Sequence, residues 1–385
     1  MQAEQPEISE VPAPLSSPRG LKARFDNWRH HNPKTEAVTF FFGGFCFDLL
    51  MLHRIDSAPM LIHQGTYLSL LAVLLVVDHR LTYAEERGVQ IAKWRGWVAK
   101  LVEIRHGLIH FLFGTLLNAF IVFYFRAASG IWAFLFLIGL GAVLVANELP
   151  RFRMLGPVMR YALYSFALTS YLAYLFPTMA GQLDAKLFVA AVLISSGATL
   201  SLWWVARRFS HDQDWNARKG AVPGLAIQAL LLALYIADAV PPVPLSLTGI
   251  AIAHNVEWQG PRVRIETESP PWKFWAHGDT EFKARPGDRV FVFAKVFAPK
   301  GFRDALKVRW EVKHPSRGWE RSDLIPLTIT GGERDWRGFA YKQNYRPGSW
   351  RVTIETDEGR PVGSIRFTIT EDLSTEERVL RERWE

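Results

Sequence analysis

The sequence predicts an α + β multidomain chain, a seven-helix transmembrane bundle followed by an all-β immunoglobulin-like sandwich. Three observations carry that prediction. Seven apolar stretches fill residues 37 to 241, and lysine and arginine crowd every second connection between them. From about residue 261 the hydrophobic period becomes two. Of the 385 residues 49% are hydrophobic, yet mean hydropathy is only +0.04, because an apolar half is averaged with a polar one.

Residues 1–36 are Pro-rich and charged and lack the apolar core of a cleaved signal peptide, so a disordered cytoplasmic tail is expected there. The apolar stretches follow at 37–53, 59–77, 107–125, 128–147, 159–177, 186–206 and 223–241. Each approaches the about 20 residues that a tilted spanning helix needs. Arg19, Lys22, Arg24, Arg29 and Lys34 precede the first stretch. Arg80, Arg87, Lys93, Arg95, Lys100 and Arg105 fill the second connection, Arg151, Arg153 and Arg160 the fourth, and Arg207, Arg208, Arg218 and Lys219 the sixth. The other connections hold only Arg54, Arg126 and Lys186. Such charges resist transfer across hydrocarbon, which predicts a cytoplasmic N-terminus and everything after Val240 on the outer side.

Within the second connection, Trp94, Trp97, Leu101 and Val102 alternate with charges and predict an interfacial helix near 80–105. Val240-Pro241-Pro242-Val243-Pro244 ends the membrane domain, since proline lacks the amide donor, and opens a linker expected over 242–260. A sandwich is expected over 261–370. Val308, Trp310 and Val312 alternate with charged residues, as do Trp350, Val352 and Ile354, and Ile365, Phe367 and Ile369. Turn signals at Pro286-Gly287-Asp288, Gly331-Gly332, Pro347-Gly348 and Asp357-Glu358-Gly359 separate seven short strands. Ser374 or Thr375 before Glu376 and Glu377 predicts a short capped helix over 371–385. The one cysteine, Cys46, allows no intramolecular disulfide, so the sandwich must hold by packing.

Val308-Arg309-Trp310-Glu311-Val312, Asp335-Trp336-Arg337-Gly338-Phe339, Pro347-Gly348-Ser349-Trp350-Arg351-Val352 and the hairpin from Gly359 to Phe367 resemble the bacterial family called Domain of Unknown Function 2914. The resemblance spans roughly 275–370. The multi-span N-terminal part resembles a second uncharacterised family, numbered 5924. Neither resemblance implies an activity. The chain departs from the first pattern at Arg309, where a histidine is expected, and at Gly338, where a small hydroxylated residue is expected. Both departures weaken any binding role carried over there.

No nucleotide loop, HExxH, CxxC or nucleophile elbow occurs, so no catalytic residue and no cofactor is assigned. Ionisable residues in apolar segments are functional candidates because they are expensive in lipid. Asp78, His79, His106 and His110 form the candidate metal set, with His106 and His110 one helical turn apart. The competing reading makes these residues interfacial anchors. Asp48, His63 and Asp238 are the intramembrane polar set, with Arg54 or His63 as the expected partner of a buried carboxylate. In the tail, Trp310, Trp336 and Trp350 are expected core. Trp272, Trp275 and Trp319 fall in predicted loops beside Lys273, Lys283 and Arg321, and with Arg321 they are the candidate ligand-binding set, the competing reading being that they fold over the sandwich edge.

These readings combine into a bacterial inner-membrane protein, multi-pass, presenting a periplasmic sandwich that binds an envelope glycan or periplasmic protein without catalysis. The alternative is a membrane-embedded metal-dependent hydrolase or ion or proton transporter using the intramembrane His and Asp residues. The partners expected are the lipid bilayer and the envelope ligand. Nucleic acid is not among them, because the net charge of +8 arises largely from juxtamembrane loops. The sequence leaves the oligomeric state open.

Overall fold

Helices fill the apolar half of the chain and strands the polar half. The computed structural model describes residues 58–88, 97–148, 156–210, 215–269, 278–330 and 335–385. Its helices are α1 Ala58–Glu86, α2 Trp97–Ala127, α3 Gly130–Glu148, α4 Gly156–Ala180, α5 Ala185–Ser210, the single turn α6 Ala217–Gly220, and α7 Val222–Ile236. The expected stretch 37–53, with Cys46, Asp48 and His53, lies outside the described residues.

A count of seven spans is not supported. Among the described residues three helices are long and apolar enough to cross a membrane, Ala58–Glu86, Ile104–Ala127 and Ala185–Ser210. Two of the expected stretches fall short for local reasons. Helix α4 carries Arg160, Tyr161, Ser165, Thr169, Ser170 and Tyr174, which lower its hydropathy. Helix α7 has only 15 residues, about 22 Å at 1.5 Å per residue. Of the interfacial helix expected near 80–105, the described residues show α1 running on to Glu86 and α2 beginning at Trp97, and residues 89–96 lie outside those described.

Hydroxyl and amide groups meet inside the helical part among buried apolar side chains such as Leu71, Phe113 and Phe120, while other apolar side chains face outward. Ser165 and Thr169 of α4 meet Thr199 and Ser195 of α5 at 3.0 and 2.8 Å. The Gln228 amide of α7 donates to Thr199 at 3.0 Å. Gly224 lies against Ser165 and Thr199 so closely that a Cβ would clash with both, which explains a glycine inside a helix. Meanwhile Ile62, Val73, Ile131, Trp132, Leu193 and Trp204 point outward, each more than half exposed.

The strands are β1 Ser246–Ala253, β2 Asn255–Gln259, β3 Arg262–Thr267, β4 Glu281–Ala284, β5 Val290–Phe297, β6 Arg303–His314, β7 Gly318–Thr330, β8 Trp336–Lys342, β9 Gly348–Thr356, β10 Pro361–Glu371 and β11 Arg381–Trp384. They form sheets in the orders β1-β5-β8, β4-β10-β9-β6-β7 and β11-β3-β2. The three- and five-stranded sheets β1-β5-β8 and β4-β10-β9-β6-β7 close a β-sandwich. Its core comprises Val290, Val292, Val308, Trp310, Trp350, Val352, Ile354 and Phe367 among others. Trp310 and Trp350 are buried as expected, and Trp336 packs half-buried at the margin.

The third sheet was not expected. Ala251, Ala253, Phe291 and Phe293 present a second apolar surface on the other side of β1 and β5, covered by Val256, Val263 and Ile265. Strand β5 is therefore buried on both faces, and Val-Phe-Val-Phe-Ala lacks the polar alternation of a half-solvated strand. The same effect hides β1, so the expected linker 242–260 in fact contains β1 and β2, and the sandwich begins at Ser246 instead of 261. The expected C-terminal helix is also corrected. Residues 381–384 pair with β3 as strand β11, because cross-strand ion pairs such as Arg264–Glu382 at 3.1 Å outweigh local helix propensity.

Beside that third sheet lies a buried pair. Gly278, at φ 79°, runs so close to the Ile252 backbone that any side chain would collide with it, and this contact sets Asp279 opposite His254 at 3.6 Å. Burial, aided by Arg378, pushes His254 down to about 4. Burial also raises Asp279 to about 6, despite amide and hydroxyl donors from Glu268 and Ser269. The two pH dependences oppose each other. The Asp279 contribution to stability is present below its unfolded 3.8 and is lost as pH rises through about 6. The His254 contribution is present above 6.5 and is lost as pH falls through about 4. Between these limits they largely cancel. Asp279→Asn keeps the acceptor and removes one side of the balance, so the melting temperature of the variant should climb with pH from about 4 to about 6.5 relative to wild type. A difference independent of pH would refute this.

Helices and sandwich are joined through the β9–β10 turn. Arg360 lies over the Tyr235 ring at 3.5 Å, donates to the Tyr235 carbonyl at 2.9 Å and pairs with Asp238 at 3.0 Å. Ser129 donates to the Pro361 carbonyl at 2.7 Å, and Arg303 N–H to the Gly181 carbonyl at 2.7 Å.

Candidate functional site

Strands β6, β7, β9 and β10 alternate between the sandwich core and the opposite face. Because Trp310, Val312, Trp350, Val352 and Phe367 face inward, Glu311, Arg351 and Arg366 face outward. Register then aligns them: Arg321 lies opposite Glu311, Glu311 opposite Arg351, and Arg351 opposite Arg366. Directly opposed residues share one side of a sheet, so three arginines and a glutamate form one row across four strands. A register shift at Trp310/Glu311 keeps Arg321 in that row.

Glu311 anchors the row. It is only 6% exposed and accepts from Arg351 Nε at 2.7 Å and Nη2 at 2.8 Å, a two-pronged pair. Arg309 pairs with Glu355 at 3.1 Å, whose carboxyl burial holds above its ordinary range. Trp319 lies across the row, with the Arg351 guanidinium 4.7 Å and the Arg366 guanidinium 5.7 Å from its ring centre. The outer face carries eight basic side chains, Lys283, Arg303, Lys307, Arg309, Lys313, Arg321, Arg351 and Arg366, against three acidic ones, Glu281, Glu311 and Glu355, among the described residues. Arg321 and Arg366 are exposed. A half-buried aromatic ring framed by exposed guanidinium groups suits a ligand with both flat apolar faces and negative charge.

Residues 303–369 match the family described as protein of unknown function DUF2914. The matched segment spans β6 to β10 and contains the whole row. No curated protein matches the chain. Among solved structures, an immunoglobulin-like protein from Pseudomonas aeruginosa is similar at 13% identity, over 33% of this chain and 98% of that one, with a TM-score of 0.21. The CARDB domain of a Pyrococcus furiosus protein, solved in complex with di-metal ions, is similar at 12% identity, over 33% of this chain and 87% of that one, with a TM-score of 0.19. The sandwich assignment rests on its paired sheets and shared core, not on these likenesses.

The structure redistributes the other expected sites. Trp319 stands on β7 instead of in a loop and joins Arg321 on the outer face of the five-stranded sheet, whereas Trp272 and Trp275 lie outside the described residues. Asp78 is buried and held by Arg105 Nε at 3.1 Å and by Arg160 Nη1. His106 Nδ1 lies 3.2 Å from Asp78, and Arg105 also grips Glu85 at 2.9 Å. His79 turns to Trp215, ring centres 4.4 Å apart. His110 lies a turn further along α2, and no group of three or more His, Cys, Asp or Glu side chains that would hold a metal occurs among the described residues. Two guanidinium groups on Asp78 also repel a cation. Asp238, expected in the intramembrane set, follows the end of α7 at φ 54° and pairs with Arg360 at 3.0 Å; Arg54 lies outside the described residues. His63 is exposed on α1 and packs on Tyr67, ring centres 4.0 Å apart.

Glu311, Arg351 and Arg366 were missed as site residues. Their alternation with core residues was legible, but it marked them only as solvent-facing. Their alignment is set by strand order.

Proposed function

We propose that the chain is a membrane-anchored, non-catalytic protein of the bacterial inner membrane whose periplasmic sandwich binds an anionic envelope glycan on the outer face of its five-stranded sheet. The observation that carries the binding role is the row Arg321, Glu311, Arg351 and Arg366 beneath Trp319. Trp319 supplies a surface on which a pyranose ring stacks, and the exposed arginines supply forks for carboxylate or phosphate groups. Glu311 holds Arg351 in place before the ligand arrives, which lowers the ordering cost of binding. The anchoring role is supported by helices whose outer faces are apolar while hydroxyl and amide groups meet inside, the arrangement favoured in lipid.

The full chain in nanodiscs should bind a polysaccharide bearing carboxylate or phosphate groups more tightly than its neutral counterpart. Trp319→Ala and Arg366→Ala should each weaken that binding by roughly tenfold, about 1.4 kcal/mol, with little change in stability for exposed Arg366. Equal binding of charged and neutral polymers, or unchanged binding by both variants, would defeat the assignment. Preference for an acidic protein over every glycan would transfer the face to a protein partner. Alkaline phosphatase fused after Glu385 should be active if the sandwich is periplasmic.

A further inference from the structure

We propose that the cavity enclosed by the ends of α1, α2 and α4 is a phosphate-binding site. Its volume is about 200 Å³. It is independent of the sheet face and of the glycan reading.

Three features point to an oxyanion. Gly156 and Pro157, the opening residues of the 25-residue α4, form part of the wall, and of the two only Gly156 carries an N–H, since proline has none. The first-turn amides of a helix have no acceptor within it, and the positive pole of the helix dipole lies there. One turn on, Arg160 reaches into the same cavity, with Nη1 on Asp78 and Nη2 3.4 Å from His106 Nδ1. Finally, Tyr161 lines the cavity, is only 1% exposed, and its hydroxyl has no hydrogen-bond partner among the described residues. A buried hydroxyl without an acceptor is costly, and an oxyanion supplies one.

The charges around the cavity permit this. Asp78 and Glu85 are its two carboxylates, and Arg105 and Arg160 offset them. The helix pole tips the balance toward an anion. A divalent cation would face two guanidinium groups and the same helix pole. The cavity is small, so it fits a phosphate group, not a whole nucleotide. That group can be the headgroup phosphate of a phospholipid or free inorganic phosphate.

Two arms separate these sources. In the first, the full chain in a phosphate-free maltoside detergent is titrated with radiolabelled inorganic phosphate by equilibrium dialysis. In the second, native mass spectrometry compares retention of phosphatidylglycerol with that of a phosphate-free galactolipid of the same chains. Saturable binding in the first arm identifies a soluble phosphate site, and selective retention of phosphatidylglycerol in the second identifies a headgroup site. In whichever arm responds, Tyr161→Phe should weaken binding roughly tenfold, as for loss of one hydrogen bond to a charged acceptor, and Arg160→Gln should weaken it further. Arg160→Gln also uncovers Asp78 and can fail to fold, so Tyr161→Phe, which removes only the hydroxyl oxygen, decides alone. Binding in neither arm, or binding by Tyr161→Phe equal to wild type, overturns the proposal.

Discussion

Replacing Trp310 by alanine is expected to lower the stability of the sandwich by about 3–5 kcal/mol, as for other large aromatic truncations in packed cores. Trp310 is 0% exposed, sits between the two sheets, and meets Phe367 edge-on, ring centres 6.4 Å apart. Strands on both sides of the cavity belong to hydrogen-bonded sheets, so the site cannot collapse far. The indole nitrogen refines the prediction. Trp310 Nε1 has no hydrogen-bond partner among the described residues, whereas Trp350 Nε1 donates to the Arg346 carbonyl at 2.9 Å. Phenylalanine should therefore be tolerated better at 310 than at 350. At 310 the lost volume is partly offset by removal of an unsatisfied donor, while at 350 a carbonyl loses its partner. Hydrogen exchange of β6 and β9 amides in the full chain reads both effects. A Trp310→Phe variant less stable than Trp350→Phe would refute the ordering.

Arg351→Ala should cost about 2–3 kcal/mol, because it strips both hydrogen bonds from a nearly buried carboxylate. Glu311 side-chain exposure is 8% and that of Arg351 is 24%, so solvent recovers part of the loss and the full penalty of a deeply buried pair is not reached. Arg309, 3.9 Å from Glu311, is too distant to replace the fork. Removing both partners, Glu311→Leu with Arg351→Leu, should restore much of the stability, since no charge is then left uncompensated. It should not restore ligand binding, because the row loses its central cation. Unfolding measurements on both variants, with glycan binding measured in parallel, separate the structural role of this pair from its role in the face. A double variant as unstable as Arg351→Ala would show that packing, and not the orphaned charge, accounts for the loss.

The legibility of this chain follows burial. Strands β6, β9 and β10 were readable because one face is core and the other solvated, which imprints a period of two on Val308 to Val312, Trp350 to Ile354 and Ile365 to Ile369. Strand β1 was harder to read because neighbouring sheets cover both of its faces, which removes the polar alternation. Strand β11 read as a helix because Ser374, Glu376, Glu377 and the following arginines are local helix signals. Its conformation is decided by β3, more than a hundred residues earlier in the chain. Asp78 drew attention as a metal ligand through its neighbours in sequence, but Arg160, 82 residues away, occupies one of its oxygens.

Order and class of the two halves, helices and then sheets, were written in hydropathy and period alone, because those quantities report directly on how much of each side chain must leave water. Which arginine meets which carboxylate, and that Trp319, Arg351 and Arg366 form one face, depended on strand order and register. Those are set by packing between distant segments, which leaves no local trace in the chain.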